Sequence, residues 1–157
     1  MENNITTELN LEQKVTIKSI APWSTGFRRI ESNGDVTIPP NGTVRLTRSE
    51  IIAQVQNGNR LLSGTDDRGS HATLFIDDLQ TRKEVDFETD ENTQEVLTEE
   101  KVKTLFGYKT LKSFKKNLKN LVMTRAEKYA IMQMIKKAKF NDFEKIREVE
   151  HYTGLSL

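Results

Sequence analysis

Residues 84–100, EVDFETDENTQEVLTEE, divide this chain into two parts of different character. The stretch contains eight acidic residues and no basic residue. Before it, short apolar runs alternate with turn residues, which is typical of β-strands. After it, apolar residues recur every three or four positions, which indicates amphipathic helices. The chain is therefore predicted to be an α+β protein, with the strands first and the helices second.

Residues 13–88 are predicted to form a small β module, a barrel or a sandwich, with one inserted helix. Asn33-Gly34 is a strong hairpin signal, because both residues tolerate a positive φ. Thr47-Arg48-Ser49-Glu50 has the pattern of a capping box and predicts that the inserted helix starts there. Leu61-Leu62 and residues 83–87 are predicted to be extended. Five to six short strands with turns at this spacing favour a barrel or sandwich.

Residues 97–157 are predicted to form a basic bundle of three or four helices. Capping-box patterns at Thr124–Glu127 and Asn141–Glu144 mark two helix starts. Phe143 is predicted to lie on the apolar stripe of the last helix, together with Ile146, Val149 and Tyr152. Between the two modules, residues 89–96 are predicted to be an acidic linker. Residues 1–12 are polar and are predicted to be an N-terminal arm that a neighbouring molecule would order.

Composition excludes several classes of function. The absence of cysteine excludes disulfides, thiolate catalysis and sulfur-bound zinc. No apolar run of membrane-spanning length occurs, and Met1 leads into a polar stretch, so no membrane partner is expected. Phosphate-binding loops, dinucleotide fingerprints and zinc-protease motifs are absent. We therefore expect a protein made in the cytoplasm that is not an enzyme and needs no cofactor or metal.

Lysines are the most prominent candidate binding residues. Residues 101–140 contain twelve basic residues and a single acidic one, Glu127. Lys109, Lys112, Lys116 and Lys119 recur at helical spacing, opposite the apolar side of the same helix. Such a face is either simply solvated, or meets an acidic protein surface, or meets the phosphates of a nucleic acid. Lysine without arginine disfavours reading of bases, which requires bidentate contacts.

Two other features could carry function. Trp23 follows Pro22 in a turn, where it would either plug the end of a barrel or serve as an anchor for a partner. The loop at residues 64–71 brings together Asp66, Asp67 and His71, which could bind a metal or transfer protons. The alternative for this loop is a hairpin connection whose aspartates bond the backbone.

Two stretches resemble small virion-associated structural proteins of tailed bacteriophages. They are VRLTRSEIIAQVQNGNRLLSGTDDRGSHATLFIDD at residues 44–78 and KFNDFEKIREVEHYTG at residues 139–154. The resemblance implies a multi-copy structural protein of the virion that binds capsid, portal or head–tail connector subunits. Contact with DNA through the same lysines is the alternative. The resemblance implies no catalytic residues.

Overall fold

The N-terminal half forms two small antiparallel sheets with short helices around them, in a computed structural model that describes residues 9–157. Most of the predicted N-terminal arm, residues 1–8, therefore lies outside the described residues. The elements of this half are β1 (Lys14–Ser19), β2 (Thr25–Arg28), β3 (Asp35–Ile38), β4 (Thr43–Thr47), α1 (Arg48–Gln56), α2 (Arg60–Ser63), β5 (Leu74–Asp77) and α3 (Leu79–Glu84). The mixed α+β class is confirmed.

The strands do not close into a barrel, so that part of the prediction is wrong. The larger sheet has the order β4-β1-β5, and β2 and β3 form a separate two-stranded ribbon. Closure would need a continuous ladder of strands, and the strand expected at residues 83–87 is absent. On the central strand, Ile17 pairs with Val44 on one side and Ile76 on the other. Ile17 is fully buried in the core of this half.

Helices begin at two places where extended chain was predicted, because the side chains of an asparagine and an aspartate cap them. Asn59 accepts a hydrogen bond from the amide of Leu61 and starts α2, where extended chain was predicted at Leu61-Leu62. Asp78 accepts from the amide of Thr81 and starts α3, which replaces the expected final strand. From residue 9 onward, this half therefore contains three helices rather than one inserted helix.

The C-terminal half consists of four helices, α4 (Glu99–Phe106), α5 (Leu111–Leu121), α6 (Arg125–Ala138) and α7 (Phe143–Thr153). Each begins with a side-chain cap, from Thr98, Thr110, Thr124 and Asp142 respectively. Each capping side chain accepts a hydrogen bond from an amide in the first turn of its helix, where the helix itself supplies no acceptor. Phe114, Ile131 and Val149 are fully buried where the helices meet.

The two halves pack against each other. Ile20, at the end of β1, is buried in the core of the helical half rather than in its own. Asn41, in the turn between β3 and β4, donates a hydrogen bond of 2.8 Å from its amide to Oε1 of Gln133 on α6. Such contacts, which join residues far apart in the chain, fix the position of the two halves relative to each other.

The segment predicted as an acidic linker, residues 89–96, lies against the free edge of β5. Gln94 is buried, accepts a hydrogen bond from the amide of Ile76, and donates to the carbonyls of Leu62 and Leu74. Its side-chain amide thus replaces the backbone partners that a further strand would supply. An edge strand covered in this way is protected from pairing with other chains.

Candidate functional site

Exposed lysines form a row along α5. Lys112, Lys116 and Lys119 are exposed on this helix, and Lys109 lies in the turn before its cap, not on the helix as predicted. These four residues are called the lysine ridge below. Within residues 9–157, no ion pair involves any of them, whereas the neighbouring Lys115 lies 3.6 Å from Glu148 on α7.

The position of the ridge follows from the apolar side of α5. Phe114 and Leu118, one turn apart, are buried in the helical core and set the orientation of the helix. The residues on the opposite side must then face solvent. Lys112 and Lys119 are two turns apart, about 10 Å along the axis. Because α5 contains no acidic residue, no carboxylate of this helix interrupts the ridge.

A groove runs beside the ridge, between α4 and α5. Leu105, Tyr108 and Leu121 supply its apolar surface, and its volume is about 360 Å³. Its remaining lining residues are Glu100, Lys101, Thr104, Asn117 and Asn120. This α4–α5 groove is open to solvent.

No aromatic side chain is exposed on the ridge. Phe114 is the only aromatic residue of α5, and it is fully buried. Its ring meets that of Phe106 edge-on at 5.2 Å, and Phe106 in turn stacks on Phe140 at 4.4 Å. The ridge therefore offers cations but no ring on which a base could stack.

Trp23 lies at the junction of the two halves. Its half-buried ring meets Tyr129 edge-on at 5.3 Å, and the guanidinium of Arg125 lies 5.4 Å from its centroid. Both neighbours are on α6. With no barrel present, the prediction that Trp23 plugs one does not apply. Its packing on α6 holds the halves together, while the partner-anchor role stays a prediction.

The polar loop at residues 64–71 does not bring Asp66, Asp67 and His71 together into one site. Asp66 accepts hydrogen bonds from the amides of Arg68 and Ser70 and from the hydroxyl of Ser70. Burial raises the pKa of Asp66, but these hydrogen bonds outweigh it and lower the pKa. Asp67 is exposed, and within residues 9–157 no three His, Asp or Glu side chains come together to hold a metal.

His71 instead contacts Glu127 of the helical half. Nδ1 of His71 lies 2.9 Å from Oε2 of Glu127, whose side chain is only 2% exposed. Oε1 of Glu127 accepts from the amides of Met123 and Thr124, which completes the predicted capping box. The contact across the halves was not predicted. Its signal in the sequence was the single acidic residue within a block of basic ones.

Phe143 does not lie on a buried stripe as predicted. It is 71% exposed, although Ile146 and Val149 of the same helix are buried. Phe143 is the first residue of α7 and directly follows the Asp142 cap. It is the most exposed large apolar side chain of the described residues.

Comparisons with protein-family models, with curated proteins and with solved structures found no match for this chain. Among residues 9–157, none of the helices combines the length and apolar character that crossing a bilayer requires. Function is therefore inferred from the surface that the chain itself presents.

Proposed function

We propose that this chain is a non-enzymatic assembly protein of a tailed-bacteriophage particle, present in several copies. In this proposal the lysine ridge docks on an acidic surface of a capsid, portal or connector subunit. The observation that carries the proposal is that Lys109, Lys112, Lys116 and Lys119 are all exposed and make no ion pair within residues 9–157.

The ridge gives the isolated chain little stability. Lys112 and Lys116 are four residues apart on α5, and like charges at that spacing destabilise a helix by a few tenths of a kcal/mol. Lys116 and Lys119, three apart, add to the repulsion. An acidic partner would remove this repulsion and would be attracted from a distance, which raises the association rate. The arrangement therefore fits binding better than folding.

The link to a phage particle comes from the resemblance at residues 44–78 and 139–154. It is tested by isolating particles of the phage that encodes the chain on a density gradient and analysing them by quantitative mass spectrometry. The proposal expects the chain at a constant ratio of several copies to each portal ring. Particles that lack it after washing at moderate salt would contradict a virion location.

Docking through the ridge is tested by charge reversal. Binding of the wild-type chain to purified capsid, portal and connector subunits is measured by surface plasmon resonance, beside a variant carrying Lys112→Glu, Lys116→Glu and Lys119→Glu. We expect the variant to lose at least about tenfold in affinity, mostly in association rate. A control carrying Lys14→Glu, Lys136→Glu and Lys137→Glu changes the net charge equally at other exposed positions and should bind normally. Equal loss in both variants would rule out the ridge as the specific surface.

DNA is the second candidate partner, because the absence of acidic residues on α5 also suits phosphates. Titrations with duplex and single-stranded oligonucleotides at two salt concentrations separate the two partners. Phosphate binding predicts a steep loss of affinity with salt, and the ridge variant should flatten that slope. Absence of binding at low salt would exclude DNA.

A further inference from the structure

We infer that the α4–α5 groove receives the apolar face of an acidic amphipathic helix from the docking partner. The inference deepens the proposed function and depends on it, since it names the segment that would meet the lysine ridge. It rests on four properties: the apolar surface of the groove, its polar side chains, its helical walls and the cations beside it.

The surface of the groove is apolar and open. Leu105 is almost fully buried, whereas Tyr108 and Leu121 are half-buried and can still lose water on contact with a partner. A volume of about 360 Å³ lies within the range of small-molecule sites, about 300–1,000 Å³, but those enclose most of their ligand. An open groove instead suits a row of side chains from a macromolecule.

Three of the polar side chains that line the groove already donate hydrogen bonds to backbone carbonyls of the chain. The hydroxyl of Thr104 donates to the carbonyl of Glu100, and the amide of Asn117 donates to the carbonyl of Ser113. The ammonium group of Lys101 donates to the carbonyl of Val96. These three groups each have a partner without a ligand, and we therefore assign binding in the groove mainly to apolar contact and charge.

The two helices that form the α4–α5 groove favour a helix as the bound segment. Both are helices, α4 and α5, whose backbone groups bond within each helix, so the groove has no free sheet edge. An extended segment would leave its own backbone groups unpaired on desolvation, whereas a helix satisfies them internally. Helices that bind in grooves present apolar anchors at positions i, i+3, i+4 and i+7.

Charge selects an acidic helix. Along α5, Lys116 precedes Asn120 by about one turn, so the lysine ridge lies next to the groove wall that Asn117 and Asn120 form. On the α4 side, Glu100 and Lys101 line the groove, and the exposed ammonium group of Lys103 lies 3.7 Å from the carboxylate of Glu100, so the charges there balance. The excess of positive charge therefore lies on the α5 side of the groove, where carboxylates beside the apolar stripe of the occupant would meet the lysine ridge.

The test uses synthetic peptides as probes. The main probe is a fluorescein-labelled helical peptide of about four turns, with leucines on one face and glutamates beside them. One control peptide has every leucine replaced by serine, and a second has every glutamate replaced by lysine. Fluorescence anisotropy at low salt should show binding of the first peptide, at least about tenfold weaker binding of the serine peptide, and no binding of the lysine peptide.

A groove-filling variant shows whether the groove is responsible. Thr104→Trp with Asn120→Trp places bulk at two exposed rim positions and leaves the core untouched, and circular dichroism verifies the fold. We expect this variant to bind the leucine peptide only as weakly as the serine peptide. A control with Gln56→Trp on the exposed part of α1 should bind like the wild type.

Each contrary outcome has a definite meaning. Equal affinity for the leucine and serine peptides, or full binding by the groove-filling variant, would overturn the inference while leaving docking through the ridge intact. If reversal of Lys112, Lys116 and Lys119 left the affinity for both acidic peptides unchanged, the proposed function itself would fail. Self-association of the chain that the groove-filling variant abolishes would show that the occupant is a second copy, which also overturns the inference.

Discussion

Nδ1 of His71 lies 2.9 Å from Oε2 of Glu127, and this contact joins a loop of the β half to the start of α6. The two residues are 56 positions apart in the chain. Glu127 thereby serves two purposes at once, since its other oxygen accepts from the amides of Met123 and Thr124. The N-terminal cap of α6 is thus also a contact between the halves.

Replacing Glu127 should weaken both the N-terminal cap of α6 and the contact between the halves. Glu127→Ala removes the acceptor for two amides and the partner of His71, and we expect a loss of about 2–3 kcal/mol in the free energy of unfolding. Glu127→Gln keeps an acceptor oxygen and should lose clearly less. Urea unfolding measures both, with Glu144→Ala on the exposed start of α7 as a control expected within about 0.5 kcal/mol of the wild type. Equal losses for alanine and glutamine would contradict the capping role.

Arg48 should be one of the most sensitive positions of the β half. Its side chain is 1% exposed, and the guanidinium donates to Asp78, to the hydroxyl of Thr81 and to the carbonyl of Asn10. Arg48→Met leaves Asp78 without its cation and should cost about 3–5 kcal/mol by urea unfolding, the range for breaking a buried pair.

Two further variants make the prediction about Arg48 specific. Adding Asp78→Asn to Arg48→Met should recover part of the loss, because the unpaired carboxylate is then gone. Arg45→Met, at an exposed position on β4, should have little effect. If Arg45→Met cost as much as Arg48→Met, the ion pair would not be the cause.

Stability should fall at acid pH, partly through Glu50. Burial raises the pKa of Glu50, but hydrogen bonds from the amides of Glu31 and Ile30 and from Gln54, with the charge of Arg29, together lower it. A carboxyl whose folded pKa is depressed stabilises the protein above its unfolded pKa, about 4.3 for Glu, and this contribution disappears as pH falls through the folded pKa.

Glu50→Gln should therefore reduce the free energy of unfolding at pH 7 and make the loss of stability below about pH 4.3 shallower. Urea unfolding at a series of pH values measures this, with Glu31→Gln, whose side chain is exposed, as the control. If the free energy of unfolding of Glu50→Gln fell with decreasing pH as steeply as that of the wild type, other carboxyls would cause the loss of stability in acid. Asp78, whose pKa is also lowered, is one of them.

Gln94 should slow the hydrogen exchange of the Ile76 amide at the edge of β5. Gln94→Ala leaves the amide of Ile76 and the carbonyls of Leu62 and Leu74 without partners, at a cost of about 1–3 kcal/mol for a buried group. Hydrogen exchange followed by NMR should show faster exchange of the Ile76 amide. Glu91→Ala, exposed in the same segment, is the matched control, and slow exchange at Ile76 in Gln94→Ala would contradict the role.

Local signals in the sequence predicted the starts of α1 and α6 and the hairpin, but not the starts of α2 and α3. Thr47 and Thr124 cap α1 and α6 as predicted, and β2 pairs with β3 across the turn that contains Gly34, whose φ is 101°. These features need only neighbouring residues, so spacing and residue type suffice to find them. The capping-box pattern at residues 47–50 is nevertheless incomplete, since the carboxylate of Glu50 accepts from the amides of Ile30 and Glu31 and not from the amide of Thr47.

The ridge was predictable in part and the groove was not. The spacing of Lys112, Lys116 and Lys119 placed them on one side of a helix, because periodicity decides which residues share a face. Whether such a face is covered depends on which helices pack beside it. The groove exists only because α4 packs beside α5, and Phe143 is exposed although its spacing placed it with the buried Ile146 and Val149.

The sequence by itself determined the division into a strand-rich half and a helical half, the caps of α1 and α6 and the periodicity of the lysines, because each depends on residues close together in the chain. Only the tertiary structure decided that residues 89–96 cover the edge of β5, that His71 meets Glu127, and that the ridge borders an open groove. Those contacts join residues far apart in the chain, and their free energy depends on burial that arises only when the halves pack together.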